Sequence, residues 1–346
     1  MNEELLYRIA QRTGVHRVFR PFYGGIGTIL MFHRIGGQGR AFRIEKNRRG
    51  EVSPAFLERL IGFFRSRGYS VVSLDEVHEI LAQRRKAVRF VSFTFDDGYA
   101  DTYTLAYPVF KKLDAPFAVY VATDFPDHRA IMWPYLLEDL IVAGDRVRFN
   151  WQDREFDYVT ETETQKEAAF DTIRKMILRA DRAGVLSLLK GIFEARGTDI
   201  FQYSQRLSLT WDQIRVMSED PLVTIGAHTV SHCALNKLSA EEARFEIQES
   251  RRIIEAHIGR RVEHFCYPFG SRGEAGAREA AMVRDEGFRT ATTTRVANIF
   301  EDHAQELTCL PRIPVRGSRE DLSYVDAFLT GFIPALTHGL KRVITL

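Results

Sequence analysis

Short apolar runs alternate with amphipathic stretches along most of this 346-residue chain, and that rhythm admits few folds. Residues 28–35 (TILMFHRI), 70–73, 89–95 (RFVSFTF), 116–122 (PFAVYVA), 222–226 (LVTIG), 263–267 and 288–293 read as strands. Helix starts lie between them. Ser53 precedes Pro54, and S/T-x-x-E/Q capping boxes open at Ser73, Thr210 and Ser239. The box at Ser239 starts a helix that runs to about Ile258. Apolar strands separated by helices form parallel βαβ units. With seven or so strands, closure into an α/β barrel is expected over an open sheet.

The rhythm breaks over residues 127–209. This interval is rich in helix formers and lacks clear strands, so it predicts a helical insertion between barrel halves at about 26–126 and 210–316. A last helix is expected over 318–343, kinked or broken at Pro334. The whole chain, 1–346, then reads as one catalytic domain with a C-terminal helical segment at 318–346.

Charge narrows the partners. The net charge is +2 and acids are interspersed with bases, so no strong global field favours nucleic acid. Cys233, Cys266 and Cys309 are too few and too odd for a disulfide framework, which fits a reducing compartment. The N-terminal residues show no apolar leader segment, and no run approaches the roughly 18 apolar residues of a spanning helix. A cytoplasmic location is the expectation. The basic, aromatic N-terminus (Arg17, Phe19, Arg20, Phe22, Tyr23) and the late apolar residues Phe328, Leu329, Phe332, Ile333 and Leu336 read as helices packed on the barrel. Peripheral contact with a membrane surface is the lesser alternative.

Two short motifs carry chemistry. Thr94-Phe-Asp-Asp-Gly98 places adjacent carboxylates at the end of an apolar strand, where α/β barrels build active sites. Adjacent residues there project differently, so one carboxylate can bind metal while the other faces substrate. The competing reading is an ordinary Asp-Asp-Gly turn. His228-Thr-Val-Ser-His232 follows another strand, and histidines four apart can share a metal. Alone, they could equally be surface or core histidines. Together, one carboxylate and two imidazoles make a three-ligand site with an open position, the catalytic pattern for zinc. A third segment, Phe265-Cys-Tyr-Pro-Phe-Gly270, ends in a turn whose backbone N–H groups could face an oxyanion.

In that order on a βα chain, TFDDG, HxxxH and the Pro-Phe-Gly turn resemble the polysaccharide deacetylase family, also called NodB-homology or carbohydrate esterase family four. The resemblance covers roughly 28–316, with the insertion outside it. It implies a distorted (β/α) barrel of about seven parallel strands. Asp97, His228 and His232 would bind a divalent metal, most simply Zn²⁺, with Co²⁺, Ni²⁺ or Mn²⁺ as alternatives. Asp96 would be the general base, and the backbone near Phe269 would receive the oxyanion. The implied substrate is an acetylated carbohydrate, chiefly an N-acetylglucosamine glycan, oligosaccharide or precursor.

Two parts of the family pattern are displaced. The third motif usually carries an Arg beside the base, where this chain has Cys266, and Arg312 in Leu-Pro-Arg-Ile-Pro is the candidate replacement. The usual late Leu-x-His acid is matched only by Leu336-Thr-His338, which lies in a predicted helix and reads as a chance match. His33, at the end of the first strand, is the better acid candidate, with His264 behind it. Trp133, Tyr267 and Pro268 are candidate substrate contacts, and core packing is the competing reading for a tryptophan. The resulting expectation is a metal-dependent N-deacetylase. A metal-dependent amidase on a non-sugar substrate and a catalytically silent glycan-binding protein are the alternatives.

Overall fold

The apolar run at the start of the barrel becomes β1 (Gly27–Phe32), buried along all six residues. The same holds for β3 (Phe90–Phe95) and β4 (Phe117–Val121). Burial on both faces is what a parallel sheet covered by helices requires, and it is why these runs are apolar without alternation. This computed structural model describes residues 3–36, 42–82, 89–180, 182–193 and 196–345.

The remaining barrel strands are β2 (Ser70–Val71), β7 (Val223–Ala227), β8 (His264–Cys266), β9 (Thr290–Thr292) and β10 (Ile313–Pro314). All pairings are parallel, in the order β9-β8-β7-β4-β3-β1-β10, with β2 beside the start of β3. A parallel bridge from Thr292 to Leu310, just before β10, joins the two ends of this path. The expected barrel of about seven strands is therefore present. Between the sheet and its covering helices lies an aromatic cluster in which the Phe95 ring is 5.1 Å from that of Phe32 and 5.7 Å from those of Phe110 and Phe117.

The capping signals act as written. Ser53 Oγ accepts from Phe56 N–H and starts α3 (Pro54–Ser66). The box at Ser73 starts α4 (Leu74–Ala82), the box at Thr210 starts α10 (Trp211–Glu219), and the box at Ser239 starts α11 (Ala240–Ile258). Each such cap is worth about 1 kcal/mol.

Three expectations change. The first strand stops at Phe32, so His33 stands free of it, and Arg34–Ile35 pair instead with Glu51–Val52. The 127–209 insertion is not purely helical. Besides α6 (Trp133–Ala143), α7 (Glu163–Arg179), α8 (Arg182–Phe193) and α9 (Gln202–Leu207), it contains an antiparallel hairpin, β5 (Arg146–Trp151) with β6 (Arg154–Val159). Val147 and Phe149 alternate inward between polar neighbours, which is strand periodicity. The turn at Gln152 and Asp153 takes φ of 52° and 57° without a glycine to mark it. Finally, the C-terminal helix breaks into α13 (Leu322–Leu329) and α14 (Phe332–Thr337) at Gly331, three residues before Pro334. Gly331 has φ 76°, and a Cβ there would sit 2.1 Å from Tyr23 O. Pro334 lies in the first turn of α14, where its missing N–H costs little.

The N-terminal helices α1 (Glu3–Thr13) and α2 (His16–Tyr23) lie on α13 and α14, with Tyr7 against Tyr324 and Phe19 against Phe332. The insertion packs its own cluster, including Leu137, Phe149, Phe170 and Ile192, which continues into Tyr99, Ala122 and Phe125 beyond β3 and β4.

Candidate active site

At the C-terminal end of β3 the chain leaves the sheet through Asp96 and Asp97. Asp96 N–H still donates to Phe32 O at 2.9 Å, whereas Asp97 turns into the left-handed region with φ 78°. That reversal sends the two carboxylates in different directions. Such a φ is rare for a residue other than Gly, Asn or Asp, and it clusters at functional sites.

Asp97 meets both histidines of the second motif. Its Oδ1 lies 3.4 Å from His228 Nε2 and 3.1 Å from His232 Nε2. This oxygen is buried and has no hydrogen-bond partner among the described residues. His228 Nδ1–H donates to Cys266 O at 2.7 Å, which fixes the tautomer and leaves the Nε2 lone pair facing Asp97. A ring held this way by a backbone carbonyl is a typical metal-binding imidazole. An orphaned carboxylate oxygen among converging imidazole nitrogens fits a divalent cation, and the three donors lie within 4.8 Å of one another. Burial alone would raise the Asp97 carboxyl, but the adjacent histidines, when they carry protons in place of a cation, hold it well below the usual range.

The loop that presents the histidines is braced from two sides. His228 N–H donates to Val121 O, and Thr123 and Asp124 donate back to Thr229 O and Val230 O. From α11, Glu246 Oε2 accepts from Val230 N–H at 2.8 Å and Ser231 N–H at 2.9 Å, while Oε1 accepts from Ser231 Oγ at 2.7 Å. This support is needed because Thr229 and His232 both have positive φ, at 66° and 53°. Glu246 lies outside all three sequence motifs. Its signal was a carboxylate on the inward face of α11, in line with Ala243, Ile247, Ser250 and Ile254.

Asp96 faces Arg312 in a fork-to-fork pair, 2.7 Å from Nη1 to Oδ1 and 2.7 Å from Nη2 to Oδ2. Arg312 is fully buried. Nε donates to Thr293 O, Nη1 also donates to Thr94 Oγ1, and Nη2 also donates to Cys266 Sγ at 3.1 Å. The guanidinium lies 5.7 Å from the centre of the Tyr120 ring. Tyr120 fits there because its neighbour is Gly226, where a Cβ would come within 2.5 Å of the ring. Burial would raise the Asp96 carboxyl, but Arg312 more than offsets this and holds it below its ordinary value. The cation absent at position 266 thus arrives from the strand on the other side of the barrel seam, and the small Cys266 leaves room for it.

The other candidates divide. His33 stands opposite Asp96, because Phe32 registers with Phe95, and it is within electrostatic reach of both carboxylates. Its segment is pinned by Arg34 and Ile35 N–H, which donate to Asp101 at 2.6 and 3.0 Å. Phe269 is half exposed with φ 62°, its ring is 5.2 Å from His232, and its N–H has no partner among the described residues. Tyr267 and Pro268 are buried, and Tyr267 Oη donates to Thr308 O, so neither side chain lines the opening. Trp133 packs on the insertion core instead of gathering at Asp97. His264 sits at the start of β8, at the opposite end of the barrel, bonded to Thr290 and Asp75. His338 is held by Val296 O. Trp211 stacks on His257 at 3.9 Å and its indole N–H donates to Asp127.

The structure is a parallel barrel with a carboxylate and two imidazoles gathered at the strand ends, a set that could hold a metal ion, and a second carboxylate clamped beside them. A sequence profile of the polysaccharide deacetylase family matches residues 83–180 and 193–291, more than half of the chain, so the chain belongs to that family. The match runs through much of the insertion and leaves His33 and Arg312 outside. YxkH of Bacillus subtilis strain 168, provisionally assigned as a polysaccharide deacetylase, is 27% identical over 143 residues, 41% of this chain and 48% of that one. The match thus spans about half the length of that relative. The deacetylase PplD of Streptococcus pyogenes, solved with acetate, superimposes with TM-score 0.56 at 17% identity, covering 87% of this chain and 97% of the other. IcaB from Ammonifex degensii gives TM-score 0.54 at 18% identity, covering 88% and 97%. At these identities the likeness establishes the shared fold.

Proposed function

We propose that the chain is a metal-dependent deacetylase that removes the N-acetyl group of an N-acetylglucosamine-type glycan, oligosaccharide or precursor. The observation that carries this reading is the unpartnered Asp97 oxygen between His228 and His232, with the Asp96–Arg312 pair beside it. A divalent cation held there, with zinc preferred by two imidazoles and a carboxylate, would polarise the acetyl carbonyl and make water acidic near neutral pH.

The protein residues supply the rest. Asp96, kept ionised by Arg312, accepts the proton of the attacking water. Arg312 is a positioning residue, since its donors all end on protein groups. The oxyanion is assigned to the Phe269 N–H, which has no partner among the described residues and whose ring lies 5.2 Å from His232. The leaving amine needs a proton, because an alkylamide anion is too basic to depart, and we assign this role to His33, whose position opposite Asp96 supports it. The acetylated sugar is carried by family membership, and the buried Tyr267 and Pro268 leave its ring contacts to other groups at the opening.

The test is acetate release from chitooligosaccharides by zinc-loaded protein. Asp96→Asn should keep its metal and lose turnover by roughly 10²–10⁴-fold. A metal-loaded wild type that frees no acetate from any acetylated sugar would overturn the reading.

A further inference from the structure

His33 is the corner between two separately paired segments. Before it, β1 ends at Phe32, which registers with Phe95 of β3. After it, Arg34 and Ile35 leave the barrel and pair with Glu51 and Val52 in a sheet of their own. Among the described residues the side-chain contacts of this corner are made by Arg34 and Ile35, and the His33 ring has no hydrogen bond. What fixes the direction of that ring is therefore the main chain on either side of it. The barrel sets the side of Phe32. Asp101 sets the other side: its Oδ1 accepts from Ile35 N–H at 3.0 Å and its Oδ2 from Arg34 Nε at 2.6 Å. Asp101 is buried and stands four residues after Asp97.

Arg34 is seated from the insertion as well. Its guanidinium carbon lies 5.1 Å from the centre of the Tyr99 ring and 4.8 Å from that of Tyr135 in α6. Glu51 Oε1 accepts from Arg43 at 2.8 Å, and Arg43 Nε donates to Glu138 of α6 at 2.6 Å. The buried Glu138 carboxylate also accepts from Ile44 N–H and Asn47 Nδ2. The segment after His33 is thus gripped by the barrel through Asp101 and by the insertion through Tyr135 and Glu138. Asp101 is the grip closest to the chemistry, because residues 96–101 also carry the proposed base and the first proposed metal ligand. A buried ion pair adds little net stability over apolar packing, and what this one supplies is a fixed geometry. We infer that Asp101 is a positioning residue for His33, holding it through Arg34 and the Ile35 N–H where it can reach the leaving nitrogen. The inference rests on the deacetylase reading above, with His33 as its acid.

The leaving group supplies the test. When the amide is cleaved, the carbonyl carbon keeps the water oxygen, the C–N bond breaks, and His33 gives its proton to the nitrogen, so acetate and a free amine leave. In 4-nitrophenyl acetate the leaving phenolate is stable without that proton. Misplacing the acid therefore slows the amide and spares the ester, whereas a distorted metal site slows both. In zinc-loaded Asp101→Ala, kcat for chitooligosaccharides should fall about 10–10²-fold with KM and zinc content unchanged, while kcat for the ester changes by less than about threefold. In a His33→Ala background the same substitution should cause no further loss. Asp101→Asn, which keeps an acceptor oxygen for the Ile35 N–H, should lie between wild type and Asp101→Ala, and it carries the comparison if Asp101→Ala fails to fold. Tyr135→Leu, which removes one ring from Arg34, should lower the amide-to-ester ratio in the same direction by less. The inference is overturned by equal losses on amide and ester, by an additive loss in the His33→Ala background, or by unchanged amide turnover in the Asp101 variants. Normal amide turnover in His33→Ala would overturn it differently, by removing the acid that Asp101 serves. Zinc-loaded wild type that frees no acetate from any acetylated sugar would overturn the deacetylase reading together with it.

Discussion

All five N–H donors of Arg312 end on buried acceptors, two of them on Asp96. Only a guanidinium can fill that geometry, so Arg312→Lys should not substitute for it. Removing the cation leaves an unpaired buried carboxylate, at a cost of about 3–5 kcal/mol in stability. It also has a sign in pH. Asp96 must be ionised to act as base, and Arg312 holds its carboxyl down against burial. In Arg312→Gln burial acts with less opposition, so the acidic limb of kcat/KM should move to higher pH. An unchanged acidic limb would show that Arg312 does not set the base. The acid is tested at the other limb. An acid must be protonated, so His33→Ala should lower kcat/KM by roughly 10²–10⁴-fold and abolish the alkaline limb. Loss of activity with the alkaline limb intact would place the acid elsewhere.

At the scale of elements, the proposed metal ligands depend on α11. Glu246 fixes the strained turn between His228 and His232 without touching either imidazole. Glu246→Ala strips the acceptor from two backbone N–H groups, each worth about 1–3 kcal/mol when left unpaired. Metal affinity should then fall roughly 10–100-fold, as for other supports of metal ligands. Competition with a zinc indicator would measure it, and an unaltered affinity would mean the turn holds itself. Elements were legible where the signal was local. Ser73, Thr210 and Ser239 each cap the helix their boxes announce, and the doubly buried strands read as unbroken apolar runs. The hairpin β5–β6 was hidden because Arg146, Arg148, Glu155 and Asp157 occupy its exposed positions and its turn lacks glycine. The break at Gly331 depends on the approach of Tyr23 from the other end of the chain, which no local pattern carries.

At the scale of the whole molecule, the site is an outcome of closure. Asp96 and Asp97 come from β3, His228 and His232 follow β7, and Arg312 enters across the seam where residues 310–314 lie between β9 and β1. The two motifs could be recognised as sequence, and a barrel could be expected to bring them together. That Arg312 would reach Asp96 through the space left by Cys266 required knowing that their strand ends converge, 216 residues apart in sequence. The inward-facing rings of Tyr267 and Trp133 were illegible for a similar reason, since an aromatic beside a motif has the same letters whether it faces solvent or core.

Metal content after dialysis against limiting zinc tests the central claim most directly. Wild type and Asp96→Asn should each retain about one zinc per chain, as expected of a three-ligand site that does not include Asp96. Asp97→Ala and His228→Ala should retain almost none. Full retention in Asp97→Ala, or loss in Asp96→Asn equal to that in Asp97→Ala, would contradict the division of labour between the two carboxylates.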